Sequence, residues 1–295
     1  MFLSLALYIL LLAIVSQTTG SKTCSELGEW YTPFKNIVLG ASGGAFLAQI
    51  ARIVVKYHQD ASYNTFAAYF TALLVMAIML ATECVPLFQC VEFSKDLLGV
   101  ESPTSQWAEW QITVPMMFYL NLTLNAEKLK LNLNDIKIII AAWFSIFAAW
   151  IPNLAIVRER TNNRELTGVM FITLSALSFG YAVYFNLHNS QIAYHRLKQK
   201  MSLSPTPYDM MVFAVASRNL TCSTFVAYSM PLFPVVYCLR LSQIISFEWH
   251  IILNSFLNFG AKVLYVLFIT DGHLEVLDPQ VFSLLAEKKA NESRL

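Results

Sequence analysis

The sequence predicts an all-α membrane protein, a seven-transmembrane-helix bundle with its amino end outside. Three observations lead there. The 295 residues are 56% hydrophobic and only 13% charged, and their mean hydropathy is +0.52. Several apolar runs reach the ~20 residues that a helix needs to cross a bilayer. Only short polar stretches separate them, so consecutive helices are antiparallel neighbours in one bundle. The net charge of +1, with no basic block, gives no footprint for nucleic acid. The partner that composition implies is the lipid bilayer.

Residues 1–20 come first. They are apolar from Phe2 to Val15 and then read Ser16-Gln17-Thr18-Thr19-Gly20. A short apolar run followed by small residues reads as a signal peptide, although the charged start is missing. An uncleaved extra apolar helix is the alternative. Residues 21–32 read as an extracellular segment, 33–272 as the seven-helix domain and 273–295 as a short cytoplasmic tail. The spans fall near 33–57, 64–90, 106–126, 134–157, 168–191, 208–240 and 247–270, and the sixth is long enough to project beyond the membrane. The tail is too short for a kinase or cyclase domain, and no enzyme activity is expected.

Lysine and arginine in the loops set orientation. With the amino end outside, the inner loops and tail hold twelve and the outer side seven, Lys35 among them. Cys84, Cys90, Cys222 and Cys238 lie in or beside apolar runs and read as packing residues. Cys24 stands near the start, either as a free thiol or as a bridge between chains.

The chemistry concentrates in the seventh span, Phe247 to Thr270, where Lys262 has about eleven mostly apolar residues on each side. An ammonium at bilayer depth costs about 2.5–3.5 kcal/mol on insertion scales. Such a lysine persists when it is paired or when it is not an ammonium, and a desolvated lysine suits Schiff-base formation with a carbonyl compound. A cation there needs a carboxylate. Glu109 lies about one turn inside the third span, with Thr113 one turn further on the same face. Glu109 could also be a solvated residue at the aqueous rim. No oxyanion or substrate-activating motif accompanies the pair, and the five histidines are scattered, so no metal cluster is visible.

Trp107-Ala108-Glu109-Trp110 with Thr113 and Pro115 resembles the third helix of the microbial (type 1) rhodopsins. Ala261-Lys262 resembles their retinal lysine, and Phe233-Pro234-Val235-Val236-Tyr237 their proline-centred sixth-helix motif. The resemblance covers about residues 30–272. It implies all-trans retinal on Lys262 as a Schiff base, with Glu109 as counterion. Trp110, Thr113, Val114 and Met117 would touch the polyene from the third helix, Ser175 and Phe179 from the fifth, and Met230, Phe233, Pro234 and Tyr237 from the sixth. Asn258 and Ala261 complete the set on the seventh. An integral protein of the plasma membrane, assembled as a homo-oligomer (dimer or trimer), goes with the same resemblance.

Several positions depart from the family's pumps. Gln106 stands where an arginine is usual, Leu120 where proton pumps carry a carboxyl donor, Asn258 where an aspartate is usual and Met230 where a large aromatic is common. These departures favour a light-gated ion channel, most like a channelrhodopsin, over a pump. A sensory rhodopsin signalling through a partner is the other alternative. Rings of carboxylates select cations, and the spans hold two clear acids, Glu83 and Glu109, among many neutral polar residues. Chloride is therefore the expected ion, with Glu83, Gln106 and Asn258 along its path, and a cation channel stays open. Glu83 reads either as a gate or as a buried protonated acid.

Overall fold

The structure is a computed structural model that describes residues 2–18, 23–24, 31–57, 63–88, 92–123, 131–202 and 207–276. Helix α1 (Phe2–Thr18) precedes the bundle proper. The first three spans are α2 (Tyr31–Tyr57), α3 (Tyr63–Phe88) and α4 (Thr104–Thr123). The fourth is α5 (Leu133–Trp150), continued by a short 3-10 turn and by α6 (Ala155–Arg160). The fifth is α7 (Arg164–Met201), the sixth α8 (Pro207–Ser229) with α9 (Leu232–Leu241), and the seventh α10 (Phe247–Asn258) with α11 (Tyr265–Val276). Most of the 21–32 and 273–295 segments lie outside the described residues, as do Lys22, Lys128, Lys130, Lys288, Lys289 and Arg294.

Five of these helical stretches are long and apolar enough to cross a membrane among the described residues. The third span, α4, is not one of them. It carries Gln106, Glu109, Gln111, Thr113 and Asn121 inward, so its mean hydropathy falls although all five are buried. In the second span the apolar described stretch is Phe70–Cys84. The fifth span, not the sixth, overshoots the bilayer most. Its 38 residues make a rod of about 57 Å.

Two local features interrupt the helices. The sixth span breaks at Met230–Pro231 between α8 and α9, where two prolines three residues apart remove backbone donors. The ladder restarts through Phe233 N–H to the Met230 carbonyl and Val235 N–H to the Pro231 carbonyl. In the seventh span, Phe259–Leu264 winds as a π-helix that contains Lys262. Such wide turns are rare and cluster at functional sites.

An outer sheet supplements the all-helical expectation. Strands β1 (Thr23–Cys24), β2 (Glu92–Lys95) and β3 (Glu101–Pro103) pair antiparallel in that order. The β2–β3 turn needs Gly99 at φ +88 and is tied by Asp96, whose Oδ1 accepts from Leu98 N–H and Val100 N–H, each at 2.9 Å. Phe93 packs edge-on to Phe247 at 4.9 Å, so the hairpin seats against the start of the seventh span. The β2–β3 hairpin lies between spans two and three, where a plain short loop is expected from sequence, and β1 joins it from before the first span.

The main core draws on α3, α4, α5, α8 and α11, through residues such as Met76, Met117, Phe118, Ile138, Val226 and Tyr265. Tyr265 is fully buried and donates its hydroxyl to the Met117 carbonyl at 2.8 Å. Lys35 is not the exposed outer charge that the loop count assumes. It is 6% exposed and pairs with Glu83 at 3.7 Å, because its position near the start of α2 faces α3 rather than water.

Candidate functional site

Lys262 and Glu109 meet in the middle of the bundle. Their side chains are 1% and 0% exposed, and Lys262 Nζ donates to Glu109 Oε1. The other carboxylate oxygen accepts from Asn258 Nδ2 at 2.9 Å. Asn258 Oδ1 in turn accepts from Trp110 Nε1 at 3.2 Å. The lysine nitrogen lies 5.7 Å from the centroid of the Trp110 ring, within cation–π range. Each oxygen of Glu109 thus has its own donor, and the rim alternative for this residue does not hold.

These contacts follow from helical spacing. Asn258 and Lys262 are four residues apart on one face of the seventh span. Glu109 and Thr113 have the same relation on α4, and Thr113 Oγ1 donates to the Glu109 carbonyl at 3.0 Å. The hydroxyl is therefore committed to its own helix. A buried ion pair of this kind is costly to form, and removing either partner costs about 3–5 kcal/mol. Its presence in a bundle core points to chemistry rather than to stability.

Beside the pair lies a cavity of about 170 Å³. Of the residues singled out by sequence, Lys262, Gln106, Trp110, Val114, Ser175, Phe179, Met230, Phe233, Pro234 and Tyr237 line it. Trp110 and Phe233 meet edge-to-face at 5.1 Å, and Phe118 backs Phe179 at 6.2 Å. The cavity is apolar and aromatic over most of its wall. Met117 and Ala261 belong to the packed core beside it. Glu83 does not join the Lys262 pair; it faces Lys35.

At the outer end of the cavity, sequence reasoning noted only Asn254, as one of many neutral polar residues in the spans. Asp96, Ser102, His250 and Asn254 line it there. Tyr237 donates its hydroxyl to Asp96 Oδ2, so this residue is both a cavity wall and a tie from α9 to the outer hairpin. His250 Nε2 and Asn254 Nδ2 are 3.0 Å apart. Burial pushes the Asp96 carboxyl above its ordinary value, against the opposing pull of the Tyr237 hydroxyl and the turn amides. A carboxylate in a loop normally reads as solvated, and no local pattern marks this one.

Away from the cavity, Asn121, Asn186, Ser190 and Ser223 form a buried polar cluster across α4, α7 and α8. Asn121 Nδ2 donates to Asn186 Oδ1 at 3.0 Å, and the two serine hydroxyls lie 2.6 Å apart. Asn121 is thus used inside the protein.

Solved structures share the fold of this chain. The transmembrane domain and linker region of Salpingoeca rosetta rhodopsin phosphodiesterase superposes with a TM-score of 0.64 at 14% identity, over 98% of this chain and 96% of that one. Thermophilic rhodopsin from Rubrobacter xylanophilus gives 0.64 at 15% identity, over 84% and 98%. A light-driven proton pump from Leptosphaeria maculans gives 0.64 at 14%, over 86% and 98%. The fold is that of the microbial rhodopsins. No family model and no curated protein matches the chain, so at these identities the likeness speaks for the rhodopsin fold alone. An integral membrane protein follows from it, and the seven-helix expectation holds.

Proposed function

We propose that the chain is a retinal-binding photoreceptor with the chromophore attached at Lys262. The observation that carries this reading is a buried lysine whose nitrogen reaches an aromatic cavity and is matched by one carboxylate. The residues present fit the group. Lys262 offers the primary amine that an aldehyde requires, Trp110, Val114, Phe179, Met230, Phe233 and Pro234 offer the apolar slot, and Glu109 offers the charge. All-trans retinal, when bound, supplies light absorption and a double bond that turns on excitation. Glu109 balances the positive charge at Nζ, Asn258 fixes the carboxylate's orientation, and Trp110 holds Asn258 in turn. Lys262 and Glu109 are themselves almost fully shielded from bulk solvent, at 1% and 0% exposure. A colour test decides it: the protein supplied with retinal should absorb in the visible, and absence of any visible band would end the reading.

The finer reading is a light-gated passive channel of channelrhodopsin type that favours chloride. Gln106, Leu120 and Asn258 stand where pumps usually place groups that switch protons, as the sequence resemblance implies. The pairing of Glu83 with Lys35 adds to this. Glu83 and Glu109 each face a lysine, so neither contributes an uncompensated negative charge of the kind that selects cations. Gln106 and Asn258 remain as neutral polar groups along the proposed path. Under voltage clamp in illuminated cells, the current should reverse, and its reversal should follow chloride by up to roughly 58 mV per tenfold change. Reversal that tracks cations supports the cation alternative; current that never reverses supports a pump, and no current a sensor acting through a partner. The plasma membrane and a dimer or trimer belong to the same proposal.

A further inference from the structure

Helix α1 is apolar on all sides, yet its burial is one-sided. Tyr8 and Val15 are 3% and 0% exposed and Leu11 and Leu12 are half-buried, whereas Ile9, Leu10, Ala13 and Ile14 face outward. Positions 8, 11, 12 and 15 form the i, i+3, i+4, i+7 stripe of a docked helix. The apolar cluster they join includes Ile78 on α3, Trp107, Ala108 and Ile112 on α4 and Trp150 on α5. Ala81 and Ala108 are small enough to let backbones approach, as helices associating in lipid require. The contact is also polar and directional. Tyr8 and Thr82 hydroxyls lie 2.7 Å apart, and Thr82 Oγ1 gives its hydrogen to the Ile78 carbonyl at 3.0 Å, which makes Tyr8 the donor.

A second observation is independent of this packing. The superposition on the Salpingoeca rosetta domain leaves 2% of the chain unmatched, about 6 residues, whereas α1 has 17. Most of α1 therefore has a counterpart in that structure. The Rubrobacter xylanophilus and Leptosphaeria maculans structures leave 16% and 14% unmatched. In addition, β1 begins only five residues after α1 ends and joins the outer sheet, which ties the far end of α1 to the body.

We propose that residues 2–18 remain in the mature protein as an eighth helix docked on α3 and α4, rather than leaving as a signal peptide. The helix backs Trp107 and Ala108, the two residues before Glu109, and so buttresses the counterion segment from outside. The proposal concerns the polypeptide alone and is independent of retinal binding. It is tested on the full chain carrying a carboxyl-terminal tag and purified from a eukaryotic membrane. Intact mass spectrometry should find the apolar amino-terminal segment present; a chain beginning near residue 21 overturns the proposal. Docking is read with Tyr8→Cys combined with Thr82→Cys in a Cys84→Ser background, bridged by a short bis-maleimide, because the length of the tyrosine side chain holds the two Cβ atoms too far apart for a direct disulfide. After trypsin cleavage at Lys22, the amino-terminal fragment should stay linked. Each single variant should release it. Release from the double variant, with the full-length mass confirmed, overturns the docked arrangement.

Discussion

Replacing Glu109 with glutamine tests the central pair in the protein without any chromophore. The carboxylate accepts twice, from Lys262 Nζ at one oxygen and from Asn258 Nδ2 at the other. Glutamine keeps one acceptor and turns the other into a donor, so one of the two partners loses its bond. Worse, Lys262 is left at 1% exposure with no counter-charge. Breaking a buried pair from one side costs about 3–5 kcal/mol, and Lys262→Met should cost about the same from the other side. The double variant removes both charges. It should recover much of the loss, because apolar replacements of buried pairs are often neutral or better. Singles of about 3–5 kcal/mol each, with a double that recovers much of the loss, put the non-additivity above the ~0.5–3 kcal/mol usual for contacting residues. Reversible unfolding of the retinal-free protein in mixed micelles measures all four corners of the cycle. Additive losses, or single-variant losses below about 1 kcal/mol, would show that the two groups do not act as a buried ion pair.

Other expectations follow from single contacts. Lys262→Ala should abolish the visible band in protein supplied with retinal; surviving colour would place the attachment on a different lysine. Asn258→Leu strands Glu109 Oε2 and Trp110 Nε1 together, so the loss should be about 1–3 kcal/mol for each orphaned group, and an unchanged unfolding midpoint would contradict the network. Asp96 has a raised carboxyl pKa in the folded state, so the folded protein binds the proton more tightly than the unfolded chain. Stability from this group is present below its ordinary 3.8 and is lost as pH rises through the higher folded value. Asp96→Asn should flatten that fall in the unfolding midpoint, and an identical pH profile would show that Asp96 is not the group responsible. Gly168→Ala would place a methyl 2.8 Å from Leu98 Cγ and Cδ2, and should cost about 1–3 kcal/mol through overpacking. An unaffected midpoint would mean the hairpin is free to shift.

The centre of the site was legible because an ionisable residue deep in an apolar run has few innocent explanations. Lys262 and Glu109 announce themselves by cost, and Asn258 by its place one turn from the lysine. The partner of Glu83 was not legible. Lys35 sits near the start of a span, where lysine usually reaches water, and only the crossing of α2 and α3 turns it inward. Asp96 was hidden for a related reason, since its burial depends on α9 and the hairpin meeting. Composition also misled in one direction. The third span scores as weakly apolar because it carries the buried polar residues of the candidate site. The π-helix at Lys262 leaves no trace in composition, because it is a shift in hydrogen-bond register.

That wide turn makes the seventh span a pair of rods with a joint, and the joint is at the lysine. The outer rod, α10, is braced by Phe93 against Phe247 and by the buried Ile251. The inner rod, α11, is held by the bond from Tyr265 to the Met117 carbonyl, two turns along α4 from Glu109. The two rods are therefore anchored to different partners, the outer one to the hairpin and the inner one to α4, and the shift in backbone hydrogen-bond register between them falls at the lysine.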